Sequence, residues 1–156
     1  MQWLFDERDK MDIQEITIEQ IEAVKKLMLA VFSDEPWNDV WSEEQLHAYI
    51  AQLMGERHSL SYGIYLHGRL IGVSLGKVKS WCEGTEYWIE EFGILPQMQG
   101  NGIGSRFMQE IEKDLIKRGI THIVLLTGKS VSAYCFYQKN GFEEKKEYIF
   151  LAKSLN

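Results

Sequence analysis

Leu95-Pro96-Gln97-Met98-Gln99-Gly100-Asn101-Gly102-Ile103-Gly104-Ser105 is the stretch whose reading decides the fold. Before it, Tyr87 to Leu95 reads as a strand. After it, Ile103, Phe107, Met108, Ile111, Leu115 and Ile116 fall on one face of a helix over 103–118. Ser105, Arg106, Gln109, Glu112 and Lys113 fall on the other face, and Gly119 suits the position just past the helix end. A connection of this kind leaves the first helical N–H groups without internal acceptors. Glycines at 100, 102 and 104 keep side chains out of the way of a ligand and permit unusual backbone angles. With the helix dipole added, the loop is a candidate cradle for a diphosphate.

Glycines alone do not establish this, because three of them are more often only a tight turn from strand to helix. Two other phosphate motifs can be examined. A P-loop requires Gly-Lys-Ser/Thr, whereas Gly104 is followed by Ser105-Arg106. A dinucleotide fingerprint requires G-x-G-x-x-G, whereas the spacing here is G-x-G-x-G behind Gln99. Neither fits.

Working outward, residues 1–11 form an ambiguous lead-in and a short strand is expected at 12–16. Thr17 with Gln20 makes a capping box ahead of a helix over 18–32, whose Ile18, Ile21, Val24, Leu27, Met28, Val31 and Phe32 recur at helical spacing. Residues 33–39 have loop chemistry. Ser42 with Gln45 caps a second helix, striped by Leu46, Tyr49, Ile50 and Leu53. From Leu60 the period becomes two, and His67-Gly68 turns one strand into the next, over 70–78. Beyond the glycine loop and its helix, Ile120 to Leu126 is apolar on both faces, as in a buried central strand. Ser130 to Lys139 suits a short helix stopped by Gly141, and a last strand is expected within 146–152. The whole predicts a single α/β (α+β) domain over 1–156, with a mixed sheet flanked by about four helices.

Bulk properties narrow the partners. The chain has 156 residues, 45% of them hydrophobic, enough for one sizeable core. Its formal charge of −6, from 23 acidic and 17 basic side chains, disfavours non-specific nucleic-acid binding. An anionic ligand must therefore be held locally, by backbone amides and a few placed donors. Cys82 and Cys135 lack metal-ligand spacing, and His47, His58, His67 and His122 read as structural, so no metal is expected. Met1 to Glu7 lacks the features of a signal peptide, and no run reaches the ~18 apolar residues of a membrane span. The expectation is a cytoplasmic protein without a membrane or nucleic-acid partner.

A second cluster, Ala133-Tyr134-Cys135-Phe136-Tyr137-Gln138-Lys139-Asn140-Gly141-Phe142, reads alone as a short amphipathic helix. Taken together, the two clusters resemble the GNAT superfamily of N-acetyltransferases. Gln99, Gly102 and Gly104 match that family's Arg/Gln-x-x-Gly-x-Gly/Ala signature. Ala133, Phe136, Tyr137, Lys139, Gly141 and Phe142 match its later Ala-x-x-Phe-Tyr-x-Lys-x-Gly-Phe signature. Their order and separation also agree, and the resemblance covers nearly the whole chain.

The resemblance implies a GNAT-like fold with a mostly antiparallel sheet and two splayed central strands. Acetyl-CoA, as co-substrate, would lie in the wedge between the strand ending at Leu95 and the strand at 120–126. Backbone groups of Phe92 and Ile94 would meet the pantetheine. Amides from Gln99, Gly100, Asn101, Gly102, Ile103, Gly104 and Ser105 would hold the diphosphate. Ser130 stands where the family often has Asn, with a shorter reach toward the cofactor arm. An amine would attack the thioester directly, and Tyr137 would protonate the departing thiolate. Dimers are common in the family, and the sequence neither forces nor forbids a homodimer.

The base and the acceptor stay open at this stage. Strand alternation puts Glu90 on the face of Phe92 and Ile94, and Glu91 on the opposite face unless a bulge intervenes. Either glutamate, or water, could take the amine's proton. Asp34-Glu35-Pro36-Trp37-Asn38-Asp39-Val40-Trp41 offers two tryptophans among three acids, and Trp37 and Trp41 could hold a cation by cation–π contact. Trp81 and Trp88 are further candidates. A small cationic amine is the leading acceptor. A protein N-terminus or lysine, and a non-catalytic CoA-binding regulatory module, are the alternatives.

Overall fold

A computed structural model describes residues 10–155. Most of the lead-in, including the stretch inspected for a signal peptide, lies outside the described residues. The chain divides into a larger unit that runs to Leu126 and a smaller one from Thr127.

The larger unit is a sheet with helices on both faces. Its elements are β1 (Met11–Ile16), α1 (Ile21–Phe32), α2 (Glu43–Gly55), β2 (Ser59–Leu66), β3 (Arg69–Trp81), β4 (Gly84–Ile94), α3 (Ile103–Lys117) and β5 (His122–Leu125). The strands lie in the order β1-β2-β3-β4-β5. All pairs are antiparallel except β4 with β5. That parallel pair needs a crossover, and α3 supplies it.

Both capping boxes form. Thr17 caps a 3-10 turn at Ile18–Gln20 that runs into α1, and Ser42 caps α2, with the Gln20 and Gln45 side chains closing back on the cap amides. These reciprocal bonds satisfy amides that a bare helix start leaves open.

Neighbouring residues of β4 show which helix covers which face. A Cβ on Gly93 would meet Val31 and Phe32 of α1. Phe92, one residue away, stacks on Phe107 of α3 with ring centroids 5.5 Å apart. The helices α1 and α3 therefore cover opposite faces. Val24, Leu27, Met28, Leu46 and Ile50 fill one layer, and Phe107, Met108, Ile111 and Leu115 the other. Phe107 is fully buried, and truncating such a side chain to alanine costs about 3–5 kcal/mol.

Polar links fasten the layers. Lys25 of α1 is buried and bonds Glu43 and His47 of α2 as well as Glu22. Tyr62 of β2 donates to Asp114 of α3 at 2.7 Å, and Arg118 joins Asp114 to Glu15 of β1.

The smaller unit holds α4 (Ser132–Lys139). In it Glu144 pairs with Lys129 and accepts from the Tyr134 hydroxyl. Two expectations fail. The strand expected within 146–152 does not form, and Tyr148, Ile149, Phe150 and Leu151 are exposed. Their composition favours a strand, but a strand needs a partner ladder, and none of the described residues provides one. The strand at 120–126 is shorter than expected and lies half-buried at the sheet edge, with no further strand beside it among the described residues.

Candidate active site

The glycine loop joins β4 to α3 through a 3-10 turn at Pro96–Met98. Gly100 and Gly102 both adopt left-handed backbone angles, φ 79° and 75°, which cost an L side chain about 1–2 kcal/mol. A Cβ added at either would meet nothing within 4 Å. Glycine here answers the backbone angle, and the space above the loop is open. Gly102 is the residue that precedes α3, and no side chain caps that helix. The amides of Ile103 and Gly104 therefore open α3 with no internal acceptor. This fits a ligand's diphosphate at the helix start.

Other loop residues hold the loop itself. The Gln99 side chain donates to the Ile94 carbonyl at 2.9 Å, bracing the loop against the end of β4. Asn101 donates to the Met98 and Gln99 carbonyls. Ile103 is buried, so only its backbone faces a ligand's chemistry. The side chain of Gln99, the first residue of the signature, thus stiffens the loop from within.

Beside the loop, β4 and β5 part. Their pairing runs from Glu86↔His122 to Ile89↔Leu125 and stops, while β4 continues to Ile94. Pairing ends where β5 ends, and Phe92 and Ile94 lie on the stretch of β4 beyond it.

The departure coincides with a bulge. Leu75 of β3 pairs with Glu91 but the next residue, Gly76, pairs with Ile89, so Glu90 is the extra residue. Alternation breaks there. Glu90 is exposed and pairs with Lys77 at 3.2 Å. Glu91 lies on the face that Gly93 turns to α1, and there it meets α2: the Tyr49 hydroxyl donates to its carboxylate at 2.6 Å. Burial holds the Glu91 carboxyl above its ordinary range, against the Tyr49 bond that lowers it, and Asp39 and Glu90 add further upward push. Burial, then the hydrogen bond to Glu91 and the charge of Glu91, with smaller pushes from Glu90 and Asp39, hold the Tyr49 phenol well above its ordinary value. The two glutamates, equal in sequence, occupy different electrostatic settings.

Tyr49 in turn stacks on Trp41, with centroids 5.1 Å apart and planes 18° from parallel. Trp41 lines an open cleft of about 500 Å³ with Asp39, Val40, Gln45 and Ala48. Trp37 takes a different place, edge-on to Phe32 at 5.5 Å, and is only partly exposed. Trp81 and Trp88 share Lys79 in cation–π contacts at 5.3 and 5.5 Å. They are already occupied by an internal cation.

Within the smaller unit, Tyr137 is buried, its ring set edge-on between Phe136 and Phe142 at 5.3 Å from each. Ser130 lies in the exposed turn ahead of α4. Among the described residues no group of three or more His, Cys, Asp or Glu could hold a metal ion, both cysteines are free and exposed, and no helix is long and apolar enough to cross a membrane.

Tyr49 was not expected from sequence, and a bulge beside Glu91 entered only as the exception to strand alternation. Tyr49 reads there as one more residue of the apolar stripe of α2. No local signal links it to a glutamate 42 positions away.

The comparisons agree with this geometry. The family model described as Acetyltransferase (GNAT) family matches residues 21–142, spanning both the glycine loop and α4. The chain belongs to the acetyltransferase (GNAT) family, and so to the acyltransferases. Among solved structures, a possible acetyltransferase from Clostridium difficile 630 superposes with a TM-score of 0.80 at 12% identity, over 94% of this chain and 99% of that one. Aminoglycoside N-acetyltransferase AAC(6')-Iy, in complex with CoA, superposes at 0.72 with 18% identity, over 94% and 96%. An aminoglycoside acetyltransferase from an uncultured soil metagenomic sample, in complex with sisomicin, superposes at 0.73 with 13% identity, over 94% and 97%. At these identities the likeness is one of fold. No curated protein sequence matches significantly.

Proposed function

We propose that the protein transfers an acetyl group from acetyl-CoA to a primary amine of a small cationic molecule. The observation that carries this reading is the joint content of β4. The strand bears a half-buried carboxylate, Glu91, at its bulge and runs into the uncapped, glycine-opened start of α3. Toward the C-terminal end of the strand, Glu91 suits an amine, and the loop that follows Ile94 suits a diphosphate. Solved relatives in fold that carry CoA or an aminoglycoside support the same pairing.

In this reading, Gln99 to Ser105 hold the diphosphate through backbone amides, and Phe92 and Ile94 border the pantetheine arm. Ser130 stays a candidate for a contact to that arm. Acetyl-CoA supplies an activated thioester carbonyl. The amine's lone pair attacks that carbon, the C–N bond forms, the C–S bond breaks, and the thiolate leaves. Glu91 takes the ammonium's proton before attack, directly or through water. Its raised proton affinity suits it to this better than Glu90, an exposed carboxylate already paired with Lys77. Tyr137 gives a proton to the thiolate, its ring fixed by Phe136 and Phe142, and the phenol is restored, through water, by the second proton that the nitrogen sheds as the amide forms. Trp41 and Asp39 form the acceptor wall, and Trp37 backs that wall through Phe32. We further propose that residues 1–156 act as one N-acetyltransferase domain and that the protein works in the cytoplasm.

The test is a panel of amines and short peptides with acetyl-CoA, reading released thiol. Turnover should favour small amines with more than one positive charge. Preference for an extended peptide would replace this acceptor with a protein N-terminus or lysine. Acetyl-CoA binding without turnover on any amine or peptide would overturn the enzymatic reading.

A further inference from the structure

Glu91 differs in its company from the more exposed carboxylates that form ion pairs in this chain. Glu43 has Lys25, Asp114 has Arg118, Glu144 has Lys129 and Glu90 has Lys77. Glu91 has no cationic partner among the described residues. Its neighbour is a phenol, and Asp39 and Glu90 add negative potential around it. A partly desolvated carboxylate without a counter-ion is costly to a fold. Such a site suits a positive charge that arrives from outside. The phenol decides how the carboxylate meets that charge. It occupies Oε1 by donation, and its ring is held in turn by the stack on Trp41, which lines the cleft.

We propose that Tyr49 is the positioning residue of the catalytic base: it fixes one oxygen of Glu91, leaves the other for the acceptor's ammonium, and through the Trp41 stack ties that carboxylate to the acceptor cleft. This inference rests on Glu91 acting as the base. It assigns Tyr49 a task through Glu91, without contact to the reacting atoms. The proton balance is simple. The ammonium loses a proton to the carboxylate and Tyr49 keeps its own; the hydroxyl stabilises the anionic form of Glu91 before transfer, and again once the neutral carboxyl has passed its proton to solvent.

The sign of the effect follows. A hydrogen bond donated to a carboxylate favours its charged form. Removing it should move the acid limb of the kcat/KM profile to higher pH. Tyr62 provides the control, since its hydroxyl also donates to a carboxylate, that of Asp114 at 2.7 Å, on the opposite face of the sheet. The experiment records kcat and KM against pH for the wild type, Tyr49→Phe, Tyr62→Phe and Glu91→Gln, with a cationic amine and acetyl-CoA. Tyr49→Phe should lower kcat about tenfold, as expected for one hydrogen bond to a charged group, and leave the KM for acetyl-CoA within about twofold. Its acid limb should lie at higher pH, while Tyr62→Phe leaves the limb where it was. Replacing Tyr49 by 3-fluorotyrosine keeps the ring and strengthens the donor, so the limb should move to lower pH even if Tyr49→Phe fails to fold.

A limb that stays fixed in both Tyr49 variants, beside a Glu91→Gln variant that has lost activity, overturns the role of Tyr49 alone. An equal limb shift in Tyr62→Phe overturns it too, by showing a general effect of phenol removal. A Glu91→Gln variant with wild-type kcat and limb removes the base itself, and the Tyr49 inference falls with it.

Discussion

The glycine loop continues from the C-terminal end of β4, the acceptor wall meets the strand just before it at Glu91, and the two are made in different ways. The loop is built from consecutive residues and acts through the backbone: left-handed glycines, an uncapped helix start, and Gln99 bracing it from within. The wall is built from side chains far apart in the chain, with Trp41 on Tyr49 and Tyr49 on Glu91 across 42 positions. A local device tolerates drift everywhere except at its own few residues. An assembled one depends on the packing of α2 against the sheet. The contrast predicts that loop changes strike acetyl-CoA affinity, whereas wall changes strike proton transfer and acceptor choice.

Perturbations can break that contrast, beginning with the largest. Tyr137→Phe should lower kcat roughly a hundredfold, the lower end of what a general acid contributes, with acetyl-CoA affinity kept. Steady-state kinetics beside calorimetry checks this, and equal loss in both would make Tyr137 a binding residue. Gly102→Val forces a β-branched side chain into a left-handed angle and sets it over the loop. The Kd for acetyl-CoA should rise roughly ten- to a hundredfold. Trp41→Ala should raise the KM of a cationic amine about fivefold, and that of an uncharged-tail amine less, if a cation–π contact is lost.

The smallest effect concerns stability. Burial raises the proton affinity of Glu91 in the folded protein, so the cost of its charge appears as pH rises through the folded pKa. Below the unfolded value both states hold the proton and the cost vanishes. Glu91→Gln should therefore raise the Tm at pH 8, with the gap closing below about pH 4.3. Thermal melts at the two pH values read the difference, and an inactive variant that is also less stable at pH 8 would mark Glu91 as structural.

How legible each region was follows from the same difference. Thr17 and Ser42 announced their helices because a capping box is complete within four residues. The loop at 96–104 was readable for a similar reason, Gly100 and Gly102 being demanded by local backbone angles. The bulge at Glu90 could be named from sequence only as an exception, since it exists only in the register of β4 against β3. Tyr49 hid in an apolar stripe because helical spacing reports a face and says nothing of what a hydroxyl finds across it. The failed strand within 146–152 shows the reverse error. Tyr148 to Leu151 have strand composition, but pairing is a property of two segments.

The central claim is that one region binds acetyl-CoA while the other moves the amine's proton, and Glu91→Gln tests it most directly. Measured side by side, the variant should bind acetyl-CoA within about twofold of the wild type, while kcat with a cationic amine falls roughly a hundredfold at neutral pH. Unchanged kcat, or a parallel collapse of acetyl-CoA affinity, would contradict the account.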